Sequence, residues 1–275
     1  MSMGSLRFSR NPAGQHRLHV PEHRVVLKSA FQGIFDGKNS MIGVESLVRV
    51  SCEDQRLASL DEGSQFESHI PTDVFLSRLD ANERSLIEQW LVVLHILNFH
   101  TFVAKKSTDC KLFINVSPDT ALDIMESPNQ ISVYRTCLSQ FKIDLSRIVF
   151  ELTEQVCRDE ERFRELAMTK WLPKVHRALD DVCLRDIELG RILNLEPSII
   201  KLDRSLTRLE STDTLLVKSV QAWRKEGIIV VAEGIETTED FERMKSVGCH
   251  WFQGYLLGKP YIFGDKCRTI LKVDS

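Results

Sequence analysis

The sequence predicts a single α/β domain in which a parallel sheet closes as a (β/α)8 barrel over residues 23–264. Three observations predict it. With 275 residues, 43% of them hydrophobic, the chain can bury one large core, and a barrel of about 250 residues is a common use of that length. From Val25 onward, short apolar runs alternate with amphipathic ones. Apolar strand after apolar strand then ends in a polar residue, most often an acid. A doubly wound open sheet gives the same alternation, so the pattern alone does not choose between the two.

Residues 1–22 are polar, bear Arg and His and show no period, which predicts a flexible N-terminal extension. Strands are expected at 31–35, 42–48, 111–116, 147–153, 175–180, 198–203, 228–233 and 250–255. The polar stretch 51–69 breaks the rhythm and predicts a long loop before a helix that starts near Thr72. Leu86, Ile87, Trp90, Leu91 and Leu94 fall on one helical face. A second helix is expected over 213–225, stopped by Gly227, and a third starts at Thr237-Thr-Glu-Asp and ends at Gly248. Residues 265–275 are expected to be a C-terminal tail.

The formal net charge of −3 argues against a coat for DNA or RNA polymers, which would be strongly basic. It leaves room for a nucleotide in a local pocket. No run of about 18 apolar residues occurs, so no membrane span is expected. The first residues lack the apolar core of a secretion signal. The seven cysteines form no C-x-x-C pair and read as reduced thiols. Together these predict a cytoplasmic location.

The polar strand ends carry the chemistry. They supply Glu45, Asn115, Glu151 with Glu154, Asp180 with Asp181, Lys201 with Asp203, Glu233 with Glu236, and Gln253. One acid at a strand end is usually a cap or a solvated edge. Seven consecutive strands behaving alike is different, because in a barrel those ends converge on one mouth. Carboxylates gathered there repel unless a cation lies among them. Oxygen donors of this kind suit Mg²⁺ or Mn²⁺ better than zinc or copper. Asp180 and Asp181 can bridge two ions, and two ions can clamp the attacking and leaving oxygens of a phosphodiester. Lys201 adds a fixed positive charge for a phosphate. Its plain alternative is a salt bridge to a neighbouring acid. A Schiff-base lysine is disfavoured, since surrounding carboxylates raise the pKa that such an amine needs lowered.

Gly43-Val-Glu-Ser-Leu-Val-Arg49 resembles the motif that names the EAL domain family, with Ser46 in place of Ala. Phe31-Gln-Gly-Ile-Phe-Asp36 is similar to that family's opening strand. Asn115-Val-Ser, Glu151-Leu-Thr-Glu154, Asp180-Asp181, Lys201-Leu-Asp203, Ala232-Glu-Gly-Ile-Glu-Thr237 and Gln253-Gly-Tyr-Leu-Leu-Gly-Lys-Pro260 follow in the family's order, over residues 25–264. The resemblance implies a modified TIM barrel and metal-dependent hydrolysis of cyclic di-GMP to linear pGpG. It implies Glu45, Asn115, Glu151 and Asp180 as ligands of a first metal ion, Asp180, Asp181 and Glu233 as ligands of a second, and Lys201 beside the reacting phosphate. Gln32, Leu47, Arg49, Asp203, Glu236 and Gln253 would contact or position the nucleotide.

The sequence also departs from the family. Its Phe-Gly-Thr-Gly after the aspartate pair is Val182-Cys-Leu-Arg185 here, and Trp after the name motif is Val50. Glu154 resembles the acid that braces that loop, which also often makes a dimer contact. Without the glycines, the second metal site is expected to be weaker and to favour Mn²⁺. The alternative reading is a catalytically weak member, either a cyclic di-GMP receptor or a module that binds a regulatory protein partner.

Overall fold

The computed structural model describes residues 6–52, 69–104, 109–153, 155–169, 175–184, 195–209 and 213–263. The expectations for Glu154, for residues 53–68 of the polar stretch and for the 265–275 tail lie outside the described residues.

Eight strands close a barrel: β3 (Val25–Asp36), β4 (Met41–Cys52), β6 (Lys111–Val116), β7 (Ile148–Leu152), β8 (His176–Val182), β9 (Ile199–Leu202), β10 (Ile229–Ala232) and β11 (Trp251–Phe252). Each expected strand overlaps one of them. From β4 round to β11 neighbours pair in parallel. β3 closes the ring and is antiparallel to both β4 and β11. This corrects the wholly parallel expectation, and the cause is local. The Asp36 carboxylate accepts from the backbone of Lys38 and Ser40, both at 2.8 Å. Asn39 takes the left-handed conformation (φ 64°). A turn this tight makes a hairpin, so β3 and β4 must run in opposite directions.

Residues 6–22 are not the flexible extension expected. β1 (Arg7–Arg10) pairs with β2 (His16–Val20), and β2 pairs with the first residues of β3. Leu18 and Val20 are fully buried. They pack with Leu27, Val50, Phe75, Ile87 and Leu91 in a separate small core. Asn98 holds the hairpin through both backbone polar groups of His16, at 2.8 and 3.0 Å. Two apolar residues flanked by Arg and His give no readable period, so only the partner across the sheet reveals the strand. Beyond the barrel, β5 (His69–Ile70) is a short edge on β4.

Helices clothe the outside: α1 (Thr72–Leu76), α2 (Ala81–Phe99), α3 (Pro118–Glu126), α4 (Pro128–Gln140), α5 (Glu160–Thr169), α6 (Thr214–Lys225) and α7 (Thr238–Val247). Gly227 takes φ 77° just past α6, as expected, and the helix ends carry caps. Asp213 accepts from Leu216 N at 2.9 Å, Thr237 and Asp240 make a capping box, and Gly248 closes α7 at φ 108°. By length and hydropathy alone, Ala81–Val103 is apolar enough to cross a membrane. Here Val92, Val93, Ile96 and Phe99 lie in the main core, and Ile87, Leu91 and Leu94 lie in the small one. The segment is thus the covered outer helix of a barrel.

α2 also buries His95, whose Nδ1 lies 2.9 Å from Ser29 Oγ. Burial pushes its pKa down to about 3. The folded chain therefore refuses a proton that the unfolded chain accepts near pH 6.5. Stability is unaffected above that pH and falls as pH drops from about 6.5 towards 3, by about 1.4 kcal/mol per pH unit. Urea unfolding of the wild type and His95→Gln at pH 7 and pH 5 checks this. The variant should lose about 2 kcal/mol less between the two pH values, and parallel pH slopes would contradict the assignment.

Candidate active site

Ile34, Phe113, Val149, Ala178, Ile199 and Val231 fill the barrel interior. Side chains on a strand alternate faces, so the residue two positions further along points the same way. Adding two to the interior residues of β6 to β10 gives Asn115, Glu151, Asp180, Lys201 and Glu233. Trp251, packed beside that core, gives Gln253 in the same way. On the reversed β3, subtracting two from Ile34 gives Gln32, whose register partner on β4 is Glu45. The polar layer is thus the next layer above the apolar one, at the C-terminal mouth.

Lys201 is its centre, 1% exposed. Its Nζ lies 2.6 Å from Glu233 Oε1, 2.8 Å from Glu151 Oε1, 3.0 Å from Asp180 Oδ1 and 3.6 Å from Glu45 Oε2. One ammonium thus faces four carboxylates. The ammonium has three hydrogens for these four carboxylates, and Glu151 Oε2 is buried with no hydrogen-bond partner. Asn115 Nδ2 donates to Glu45 Oε1 at 2.8 Å, and Gln253 Nε2 donates to Glu45 Oε2 at 2.5 Å. Gln32 accepts from Gln253 at 3.3 Å and donates to Gly258 O at 2.9 Å.

Burial, opposed by Lys201, raises the pKa of Glu151 well above the usual carboxylate range. It also raises Asp180 and pushes Glu233 to about 8. For Glu45 the burial penalty is outweighed by Lys201 and by the Gln253 and Asn115 donors, so its pKa is lowered. For Lys201, burial is overcome by Asp180, Glu151, Glu233 and Glu45, which hold its pKa well above the ordinary value.

Two adjacent strand residues should face opposite ways, yet Asp180 and Asp181 both serve the mouth. The β8–β9 ladder bulges between Leu179 and Val182, and Asp181 takes a left-handed φ of 51°. Asp180, Asp181 and Glu233 each offer an oxygen, and these lie within 4.8 Å of one another. Val182 rejoins the ladder opposite Leu202. Arg185 lies outside the described residues. Gly254 is required by a close approach: a Cβ there would stand 2.1 Å from Ile235 O, and this contact seats the Gln253 turn.

The remaining expected residues are at the rim. Asp203 accepts from Ser205 N at 2.8 Å. Burial tends to raise its pKa, but bonds from Ser205, Cys183 and Arg204 lower it. Glu236 accepts from Arg204 at 2.8 Å. Leu47 and Arg49 are half-buried further along β4. Sequence reasoning missed Arg204, although it directly follows the Lys201-Leu-Asp203 motif. Ser46, the departure in the name motif, donates to Phe113 O at 2.8 Å and so ties β4 to β6.

Fold and site together define a (β/α)-barrel whose mouth is lined by oxygen donors around a buried lysine. The chain belongs to the EAL domain family, whose model matches residues 22–260. The cyclic di-GMP phosphodiesterase PdeF of Escherichia coli K12 is 29% identical over 192 residues, 68% of this chain and 25% of that protein. The cyclic di-GMP phosphodiesterase PA2567 of Pseudomonas aeruginosa is 32% identical over 164 residues, 55% of this chain and 26% of that protein. The chain spans about a quarter of the length of these relatives. Among solved structures, Klebsiella pneumoniae BlrP1 in its pH 6 complex with manganese and cyclic di-GMP is similar with TM-score 0.71 at 20% identity, over 94% of this chain and 59% of that one. The PaMucR phosphodiesterase in complex with c-di-GMP gives 0.66 at 23%, over 86% and 92%. These structural likenesses show the fold.

Proposed function

We propose that this chain hydrolyses cyclic di-GMP to linear pGpG with two divalent cations, Mg²⁺ or Mn²⁺. The observation that carries the reading is the buried carboxylate layer with too few donors: one ammonium with three hydrogens faces four carboxylates, and Glu151 Oε2 has no hydrogen-bond partner. Buried carboxylates left this way are a standing cost unless a cation takes them up, so the residues fit a divalent ion. Glu45, Asn115, Glu151 and Asp180 would hold one ion, and Asp180, Asp181 and Glu233 the other. Bound there, such ions polarise a phosphodiester and activate water.

The chain's own residues do the rest. Gln253 and Asn115 fix both oxygens of Glu45. Lys201 keeps its proton and places a positive charge where negative charge grows on phosphorus. Water adds to phosphorus, one phosphorus–ribose oxygen bond opens, and the proton goes to the departing ribose oxygen. The named substrates of PdeF and PA2567 support cyclic di-GMP as the diester. The test is incubation with cyclic di-GMP and Mg²⁺ or Mn²⁺, reading pGpG by chromatography. Absence of product with either ion would overturn the reading.

Arg49 is read as a phosphate contact, since a guanidinium fork matches phosphate oxygens. Arg49→Ala should weaken cyclic di-GMP binding about tenfold or more by calorimetry in Ca²⁺. Unchanged affinity would remove Arg49 from the site.

A further inference from the structure

β3 and β4 are twelve residues long, but β4 pairs with β6 only over Gly43–Ser46. The rest of the β3–β4 ladder runs on past the mouth to Val25 opposite Cys52. Its faces keep their period of two. One face holds Leu27 and Val50, buried against α2 with Leu18 of β2. The other continues the site: Glu45 and Gln32, then Leu47 and Ala30, then Arg49 and Lys28. Each step rises about 7 Å. β2 widens this wall. His19 is opposite Val26, which puts His19 and Arg17 on the face of Lys28. Ser9 is opposite Arg17 on β1, and its Oγ lies 2.7 Å from His19 Nε2, which confirms the shared face.

Arg49, Lys28 and, by its place beside the Leu18–Leu27 pair, Arg17 therefore lie on one face of three adjacent strands, which are about 5 Å apart. Lys28 is 3% exposed. Arg17 Nε is buried with no hydrogen-bond partner. Arg49 Nη1 donates to the neighbouring Val48 carbonyl at 2.9 Å. These basic residues lie above the carboxylate layer, with Leu47 and Ala30 between.

We propose that Arg17 joins Arg49 in binding a phosphate group of the ligand, so that the N-terminal hairpin adds a second phosphate clamp above the reacting one. Arg17 precedes the stretch matched by the family model, 22–260. Two guanidinium forks facing one phosphate offer paired charge-assisted bonds. The inference rests on the mouth taking a nucleotide with more than one phosphate.

The test follows the Nε–H signals of both arginines by NMR in the full chain, assigned through Arg17→Lys and Arg49→Lys. Inorganic phosphate and, separately, cyclic di-GMP with Ca²⁺ are titrated in, and affinity is measured for Arg17→Ala and Arg17→Lys. Phosphate should shift both signals. Cyclic di-GMP should shift both too, with roughly tenfold weaker binding in Arg17→Ala. Arg17→Lys keeps the charge on the strand and guards against a misfolded hairpin; it should bind more weakly than wild type because the fork is gone. If phosphate shifts both signals but cyclic di-GMP does not bind, the anion clamp stands and the proposed substrate fails. If cyclic di-GMP binds, Arg49 shifts, and Arg17 neither shifts nor affects affinity, the clamp is overturned and the substrate stands. If phosphate moves neither signal, the clamp is overturned whatever cyclic di-GMP does.

Discussion

Glu45→Ala and Asp180→Ala are each expected to lower turnover of cyclic di-GMP by about a thousandfold or more. Glu45 is held by two amides, Asn115 and Gln253, and is aimed by them rather than by chance packing. Asp180 sits between the two proposed ligand sets and belongs to both. Removing either takes an oxygen from a site that alanine cannot replace, and water entering the gap carries no charge. EDTA should have the same effect on the wild type, and Ca²⁺ should support binding with little hydrolysis. The measurement is pGpG formation, with thermal unfolding of each variant as a control for folding. Full turnover in EDTA would end the metal mechanism.

Lys201→Met is expected to have the largest effect on the metal-free protein. It removes the one ammonium that contacts Glu45, Glu151, Asp180 and Glu233. Breaking a buried ion pair on one side typically costs about 3–5 kcal/mol, because the partner charge stays buried. Here several partners are stranded, so they must take up protons or the mouth must open. The variant should melt well below the wild type without metal. Because a ligand that binds the folded state stabilises it by mass action, Mn²⁺ should raise its melting temperature more than it raises that of the wild type. Turnover should stay lost. A variant as stable as the wild type, with no extra response to Mn²⁺, would mean that Lys201 does not hold the layer together.

The eight barrel strands were legible because strand pattern is local: apolar positions alternate, and a polar residue two positions on marks the mouth. The helix-end signals at Gly227, Thr237 and Gly248 were legible for the same reason, since a cap is decided within four residues. The candidate site could be read as a set of strand-end residues from Glu45 to Gln253 before any contact was known. Its geometry could not. Gln253 bonds Glu45 across 208 positions, and no local pattern carries that distance.

Three features belonged to the tertiary structure. The reversed β3 follows from a hairpin whose neighbour on the far side, β11, closes the ring. The N-terminal hairpin is held by Asn98 and by the burial of Leu18 and Val20. Within residues 1–22 these look like two apolar residues in a polar stretch. The raised carboxyls of Glu151, Asp180 and Glu233 arise from burial and mutual proximity. A sequence can place an acid at a strand end, but the water around that acid is removed only when the other strands close over it.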